Sequence, residues 1–185
     1  MNKVSLLGVG AEMAAPRNYW LINLSLAYHE AMEKTRYGVL GLGKSQKRRT
    51  QRMEIGDKVL FYVSSLNAFS AVAFIDSTYF EDHSQLGDLD GSGEEYPWRV
   101  RLKPSIVLNR KNYIDARLIA PRMQYVRKWT PEAWPLAFHG LLHLIPKEDF
   151  VMLEDEVRKR TLTPQFEMIP DLDAACALDR IGLST

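Results

Sequence analysis

Residues Gly38 to Ser45 read Gly-Val-Leu-Gly-Leu-Gly-Lys-Ser, a letter-for-letter fit to the phosphate-binding loop pattern G-x-x-x-x-G-K-[ST]. In such a loop the glycine amides cradle phosphates, Lys44 reaches the outer phosphates and Ser45 holds magnesium, with Asp76 after Ala71 to Ile75 available to support the metal. The surroundings oppose that chemistry and leave a phosphate-loop NTPase as the alternative reading. A phosphate loop springs from a buried strand, whereas Glu33-Lys34-Thr35-Arg36 precedes Gly38, and the Gln-Lys-Arg-Arg-Thr-Gln-Arg that follows gives a helix no apolar stripe. Of the four histidines, His29, His83, His139 and His143, only the last two have ligand-like spacing. His139-Gly-Leu-Leu-His143 lacks the glutamate of the zinc-protease motif and enters an expected strand, where residues four apart are too distant to chelate one ion. Asp82-His83-Ser84 sets side by side residues that do not face one another, and Asp88-x-Asp90-Gly lacks the remaining ligands of a calcium loop. No catalytic residue, metal site or cofactor is expected.

Charge is the next resource, and it is segregated. The net charge of +1 hides a basic block at 44 to 52, an acidic one at 81 to 95 and a second basic one at 99 to 111. Two basic blocks in one small domain favour a polyanionic partner, because each phosphate neutralised by Lys or Arg releases condensed counterions. The acidic stretch reads as a long exposed loop, and a protein-interaction role would have that charge alone to rest on. Aromatic rings supply the complementary chemistry. Most belong to a core, but Tyr37 stands at a loop entrance, and Trp129 and Trp134 lie in a proline-interrupted stretch where ring faces stay partly open to stack a base.

The 185 residues, 46% hydrophobic and 25% charged, suffice for one domain with tails. The single cysteine, Cys176, excludes a disulfide scaffold and a Cys-rich zinc site and points to a reducing, cytoplasmic setting. No apolar run approaches a membrane span, and no secretion signal is readable.

Periodicity places a strand at Tyr19 to Leu24, then Ser25 as the N-cap of a helix to about Arg36. Gly38, Gly41 and Gly43 suggest a loop. Lys58 to Val63 reads as a central strand buried on both faces, Ser64 to Asn67 as a turn, and Phe69 to Phe80 as the next strand. Trp98, Val100 and Leu102 alternate with Arg99, Arg101 and Lys103, a strand with one dry and one basic face, interrupted by a bulge or edge at Pro104. Residues 114 to 126 are weakly helical, Thr130-Pro131-Glu132 starts a helix that Pro135 soon stops, and His143 to Ile145 is a last short strand. Pro146 opens a helix to about Arg160 whose apolar stripe is Phe150, Leu153 and Val157. Residues 1 to 17 form an N-terminal extension, 18 to 160 the domain, and 161 to 185 a tail or linker toward a further domain.

In this order the elements resemble the EVE and YTH branch of the PUA-like superfamily. The matching strings are Asn18 to Asn23, Arg36 to Val39, Met53 to Val63, Phe69 to Phe74, Tyr79 to Asp82, Tyr96 to Val100 and Ile145 to Phe150. The resemblance implies an α+β fold, a PUA-like mixed β-barrel of five to six strands with short inserted helices and a C-terminal helix. It also implies a reader that accepts one modified base flipped from a strand and does no chemistry on it.

Carried over by position, the base-binding residues are Asn23, Leu24 and Ser25 at the end of the first strand and Tyr37 as one cage wall. The second family aromatic falls near Leu86, so the cage is expected either to be weaker on that side or to be completed by Trp98 or Trp134. Lys44, Lys47, Arg48, Arg49, Arg52, Arg122, Arg127 and Lys128 are the expected phosphate contacts. Relatives read N6-methyladenine in RNA, read modified cytosine in DNA, or serve as the specificity domain of McrBC-type restriction systems. The resulting expectation is a domain that binds methylated duplex DNA, with methylated adenine ahead of methylated cytosine, for a fused or associated motor and nuclease. Modified RNA is the alternative partner, and no membrane is involved.

Overall fold

The computed structural model describes residue 16, residues 18–84, residue 86 and residues 95–162, with only the backbone of Leu162. Most of both tails and the centre of the acidic stretch therefore lie outside the described residues. Eight strands are present among them: β1 (Tyr19–Leu24), β2 (Val39–Leu42), β3 (Lys58–Val63), β4 (Ala68–Ile75), β5 (Phe80–Glu81), β6 (Trp98–Val107), β7 (Ile114–Asp115) and β8 (Leu142–Leu144). Six of these form a continuous sheet in the order β2-β6-β4-β3-β1-β8, while the two-residue strands β5 and β7 pair with β6 and β4. The sheet curls into a half-barrel, and the fold is α+β.

One pairing in it is parallel. β1 runs beside β3 from Tyr19 opposite Lys58 to Leu24 opposite Val63, and the other neighbours are antiparallel. Parallel neighbours require a crossover, and it carries α1 (Leu26–Lys34), β2 and the four-residue α2 (Lys47–Thr50). Ser25 caps α1 by accepting from the Tyr28 amide at 3.2 Å. At the far end of α1, Arg36 and Tyr37 take left-handed backbone conformations, φ 52° and 54°, and turn the chain into β2. The Gly38 to Ser45 segment is thus a strand paired with β6, followed by a 3-10 turn and a helix too short to form a phosphate loop. The NTPase alternative is excluded on that geometry, and the loop expected from the glycines is β2.

Both faces of the central strands are buried, as the uninterrupted apolar runs of β1, β3 and β4 predict. Trp20, Ile22, Leu24, Val59 and Phe61 meet Tyr28, Met32, Tyr37, Leu40 and Leu42 on the crossover side. Leu21, Leu60, Tyr62 and Phe69 meet Ile114, Phe138, Phe150 and Val157 on the other. There α4 (Lys147–Leu162) covers the sheet, pinned by Lys58 Nζ to Glu154 at 2.6 Å and by Tyr19 against the Phe150 ring at 5.1 Å. Asp149, in the first turn of α4, is buried and accepts from the amides of Gln124 and Tyr125 at 2.8 and 2.7 Å, tying the 3-10 turns to the helix start. A register shift between Val72 and Ala73 of β4 faces Pro104 and Ile106, the bulge that Pro104 announces. The basic face of β6 has one exception: Arg99 is buried and salt-bridged to Asp82 at 2.6 Å. Thr130-Pro131 starts no helix; a 3-10 turn at Trp134–Phe138 follows instead. Among the described residues no helix is long and apolar enough to cross a membrane.

The start of the parallel ladder is fixed by one carboxylate. Asp57, 1% exposed, accepts from the Asn18 amide at 3.0 Å, Asn18 Nδ2 at 2.9 Å, Trp20 Nε1 at 2.9 Å and the Glu54 amide at 3.1 Å. Removing it strands the buried Trp20 indole donor without an acceptor. Asp57→Ala is expected to lower unfolding free energy by about 3 kcal/mol in urea titrations; an unchanged midpoint would contradict this role.

Candidate functional site

Where β1 and β3 end together, the sheet opens into a cavity of about 360 Å³. Asn23 and Ser25 line it from the end of β1, Tyr28 from α1, Gly43, Ser45 and Gln46 from the crossover, and Ser64 from the turn after β3. Tyr96 closes one side and the segment His139, Gly140 and Leu141 another. A cavity of this size is at the small end of ligand sites. Its mouth is framed by the Ser64 hydroxyl donating to the Leu24 carbonyl at 3.2 Å, which locks the two strand ends together.

The aromatic part of the wall is Tyr28 and Tyr96, whose ring centroids are 5.6 Å apart at 58°. The Tyr28 hydroxyl accepts from the Gly41 amide at 2.9 Å and donates to the Gly41 carbonyl, holding α1 onto β2. A side chain at position 41 has no room. A Cβ there would lie 2.5 Å from Leu86 Cδ1 and 3.0 Å from Tyr96 Cβ.

The polar part is more informative. Asn23 Nδ2 donates to the Phe138 carbonyl at 2.7 Å, which orients the amide and leaves Oδ1 buried without a partner. Gln46 Oε1 is likewise buried and unpartnered. A buried acceptor left unsatisfied costs about 1–3 kcal/mol, and two of the residues that line this cavity each carry one. Among the described residues the lining contains no carboxylate and no thiol; it offers amides, hydroxyls, the His139 imidazole and two tyrosine rings for hydrogen bonding and apolar contact.

The expected site residues divide accordingly. Asn23 and Ser25 lie on the cavity, and Leu24 is fully buried between them with its carbonyl bound to Ser64. Tyr37 does not line this cavity: it is 1% exposed, packed on Phe61 at 5.1 Å, and borders a separate cavity of about 360 Å³ with Glu33, Arg36, Pro104 and Arg110. Leu86 is half-buried behind β2, against the crossover core. Trp98 is buried with Lys47 Nζ 4.1 Å over its ring. Trp134 lies apart, packed on Phe138 at 5.9 Å beside a small hollow that Arg127 and Trp129 also line. Neither tryptophan lines the cavity. Sequence reasoning missed Tyr28, Gln46, Tyr96 and His139 as lining residues. Only Tyr28, one turn past the Ser25 cap, carried a positional signal.

Among the expected phosphate contacts, Lys44 is exposed and paired with Glu95 at 2.9 Å, and Arg48 is exposed. Arg49 and Arg52 line a second cleft of about 460 Å³, Arg49 donating to the Leu142 carbonyl at 3.0 Å. Arg122 lies by Glu156 of α4 at 3.7 Å, and Arg127 and Lys128 are exposed. The block at 44 to 52 thus runs from the cavity to the cleft, and Arg122 is outside both.

Two histidines are engaged in neutral networks. His29 Nε2 meets the Tyr113 hydroxyl at 2.7 Å, which donates to Glu33 at 2.9 Å, and the Tyr37 hydroxyl lies 3.3 Å from His29 Nδ1. His29 therefore donates through Nε2 and accepts through Nδ1. Burial holds its pKa below the ordinary 6.5, against the opposing Glu33 charge, and pushes Tyr37 up to about 12. His143 accepts from Tyr125 at Nδ1 and donates from Nε2 to the Gly140 carbonyl, both at 2.9 Å, and burial lowers its pKa as well. These bonds occupy both nitrogens, so His143 is a structural residue.

Comparison with known proteins agrees with this architecture. The family model described as the EVE domain matches residues 18–128, more than half of the chain. No curated protein matches the sequence. Among solved structures, the YTH domain of Zygosaccharomyces rouxii MRB1 in complex with N6-methyladenosine RNA is similar at TM-score 0.53 and 16% identity, covering 76% of this chain and 88% of that one. The Pho92 YTH domain in complex with m6A gives 0.56 and 13%, covering 78% and 86%. The NMR structure of Rpa0253 from Rhodopseudomonas palustris gives 0.51 and 16%, covering 82% and 99%. At these identities the likeness is one of fold.

The histidine networks give a pH dependence with a definite sign. A folded-state pKa below 6.5 means that the unfolded chain takes up protons the fold refuses, so stability is full above that value and falls as pH drops through it. Urea midpoints measured between pH 7.5 and 5.5 are expected to decline, and less steeply in His29→Gln, once each variant is referred to its own value at pH 7.5. A slope identical to wild type would contradict a neutral, buried His29.

Proposed function

The chain belongs to the EVE domain family, and from that membership we propose that it is a non-catalytic reader taking a single modified base into the cavity at the end of β1. The observation that carries this reading is the pair of buried, unpartnered amide oxygens of Asn23 and Gln46 on a cavity that Tyr28 and Tyr96 also line. Amide oxygens ask for N–H donors, and the ring faces ask for a flat apolar partner. A nucleobase extruded from its strand supplies both, its exocyclic amine meeting an amide oxygen and its π-face a tyrosine. Flipping costs a few kcal/mol of stacking, which contact inside the cavity regains. N6-methyladenine keeps one N–H and adds a methyl whose full burial is worth about 0.8 kcal/mol, roughly fourfold in affinity.

Methylated adenine is placed ahead of methylated cytosine because two solved structures of similar fold hold N6-methyladenosine. Duplex DNA is the preferred partner, on the resemblance to specificity domains of McrBC-type restriction systems, in which a separate motor and nuclease act once the site is located. The RNA bound in one of those structures favours modified RNA as the second reading. Phosphate contacts come from Lys47, Arg48, Arg49 and Arg52, on the block that leads away from the cavity, and Lys44 joins them by exchanging Glu95 for a phosphate.

Fluorescence anisotropy with matched methylated and unmethylated duplexes and RNA strands tests this. The methylated probe is expected to bind at least about fourfold tighter. Gln46→Ala is expected to weaken the methylated probe by about fivefold without lowering the melting temperature. Equal affinities of the wild-type chain for every methylated and unmethylated pair would remove the reading.

A further inference from the structure

Beside the base cavity lies the second cleft, and His139 lines both. Its composition differs from that of its neighbour. Arg49 and Arg52 supply charge, and Trp129, Leu136 and Leu144 supply apolar surface that is 42%, 54% and 38% exposed. Among the described residues no carboxylate lines it and neither arginine is paired with one. Arg49 is held to the β8 backbone by one N–H, which positions the guanidinium and leaves its other donors for a ligand.

A concave surface with two uncompensated guanidinium groups and an open indole face matches an anion joined to a flat ring. A nucleotide has that form. The shared His139 makes the cleft adjoin the cavity, and the segment from Gly43 to Arg52 lines the cavity with its beginning and the cleft with its end. We infer that the cleft is a second subsite, which takes the nucleotide adjoining the flipped base: phosphate on Arg49 and Arg52, base stacked on Trp129. This inference rests on the reader function proposed above. It adds that the chain holds at least two consecutive nucleotides, and that the second is bound without regard to modification.

The two ideas separate in one experiment on the full chain, using trideoxynucleotides with adenine or N6-methyladenine at the centre. Trp129→Ala and Arg52→Gln are each expected to raise both dissociation constants by about tenfold while leaving the methylated-to-unmethylated ratio unchanged. Trp129→Phe restores the affinity, because a ring face remains, and Arg52→Gln lowers the slope of log affinity against log salt by about 0.7. Unchanged constants in both variants, or a ratio that collapses with them, would overturn the second subsite. A wild-type ratio of one would instead overturn the reader function itself, whatever the variants do.

Discussion

The parallel pairing of β1 with β3 is the constraint on which the rest of this molecule depends. Two strands that run the same way cannot be joined by a hairpin, so residues 25 to 57 must leave at one end and return at the other. That crossover is where Tyr28, Gly43, Ser45 and Gln46 come from. The ladder is fixed at its start by Asp57 and at its finish by Ser64 on the Leu24 carbonyl. Because both strands stop in register, Asn23 and Ser25 meet Ser64 at a common edge with no strand continuing beyond them. The cavity is the space that this shared ending leaves.

What fills the cavity wall is polar in an unusual way. Most buried polar atoms of a folded chain find partners; among the described residues the amide oxygens of Asn23 and Gln46, Ser70 Oγ and Trp98 Nε1 do not, and Asn23 and Gln46 line the cavity. Asn23 cannot relieve this by turning, since its Nδ2 is committed to Phe138. On the proposed reading, an incoming N–H donor pairs these amide oxygens. Charge is arranged outside it. Lys47 lies over the Trp98 ring, and the arginines that follow it open onto the neighbouring cleft, so cations ring the cavity without entering it.

Much of the scaffold was legible in the sequence, because its signals are local. The apolar runs of β1 and β3, the Ser25 cap and the stripe of α4 follow from side-chain period and capping chemistry. β2 was not, since three glycines read as a loop; its extended form comes from pairing with β6 and from the Tyr28 hydroxyl on Gly41. Arg99 escaped for a related reason: alternation put it outside, but Asp82 and Ser84 fold back to bury its guanidinium. For the site, Asn23 and Ser25 could be placed by their position at a strand end. Tyr37 could not be oriented from sequence, because a loop entrance says nothing of side-chain direction; two left-handed residues turn the chain there and its ring packs on Phe61. Tyr96 and the segment His139 to Leu141 reach the cavity only through tertiary contact, far in sequence from the strand ends they join.

The central claim is that an N–H donor with a flat ring satisfies Asn23 and Gln46. Its most direct measurement is an amide-resolved NMR titration of the ¹⁵N-labelled chain with N6-methyl-2′-deoxyadenosine. The account predicts that the side-chain amides of Asn23 and Gln46 and the backbone amides of Gly43 and Gly140 shift together, while the Trp20 indole, committed to Asp57, stays in place. Shifts centred instead on Glu33, Arg36 and Arg110, beside the core face of Tyr37, or no shifts at all, would contradict it.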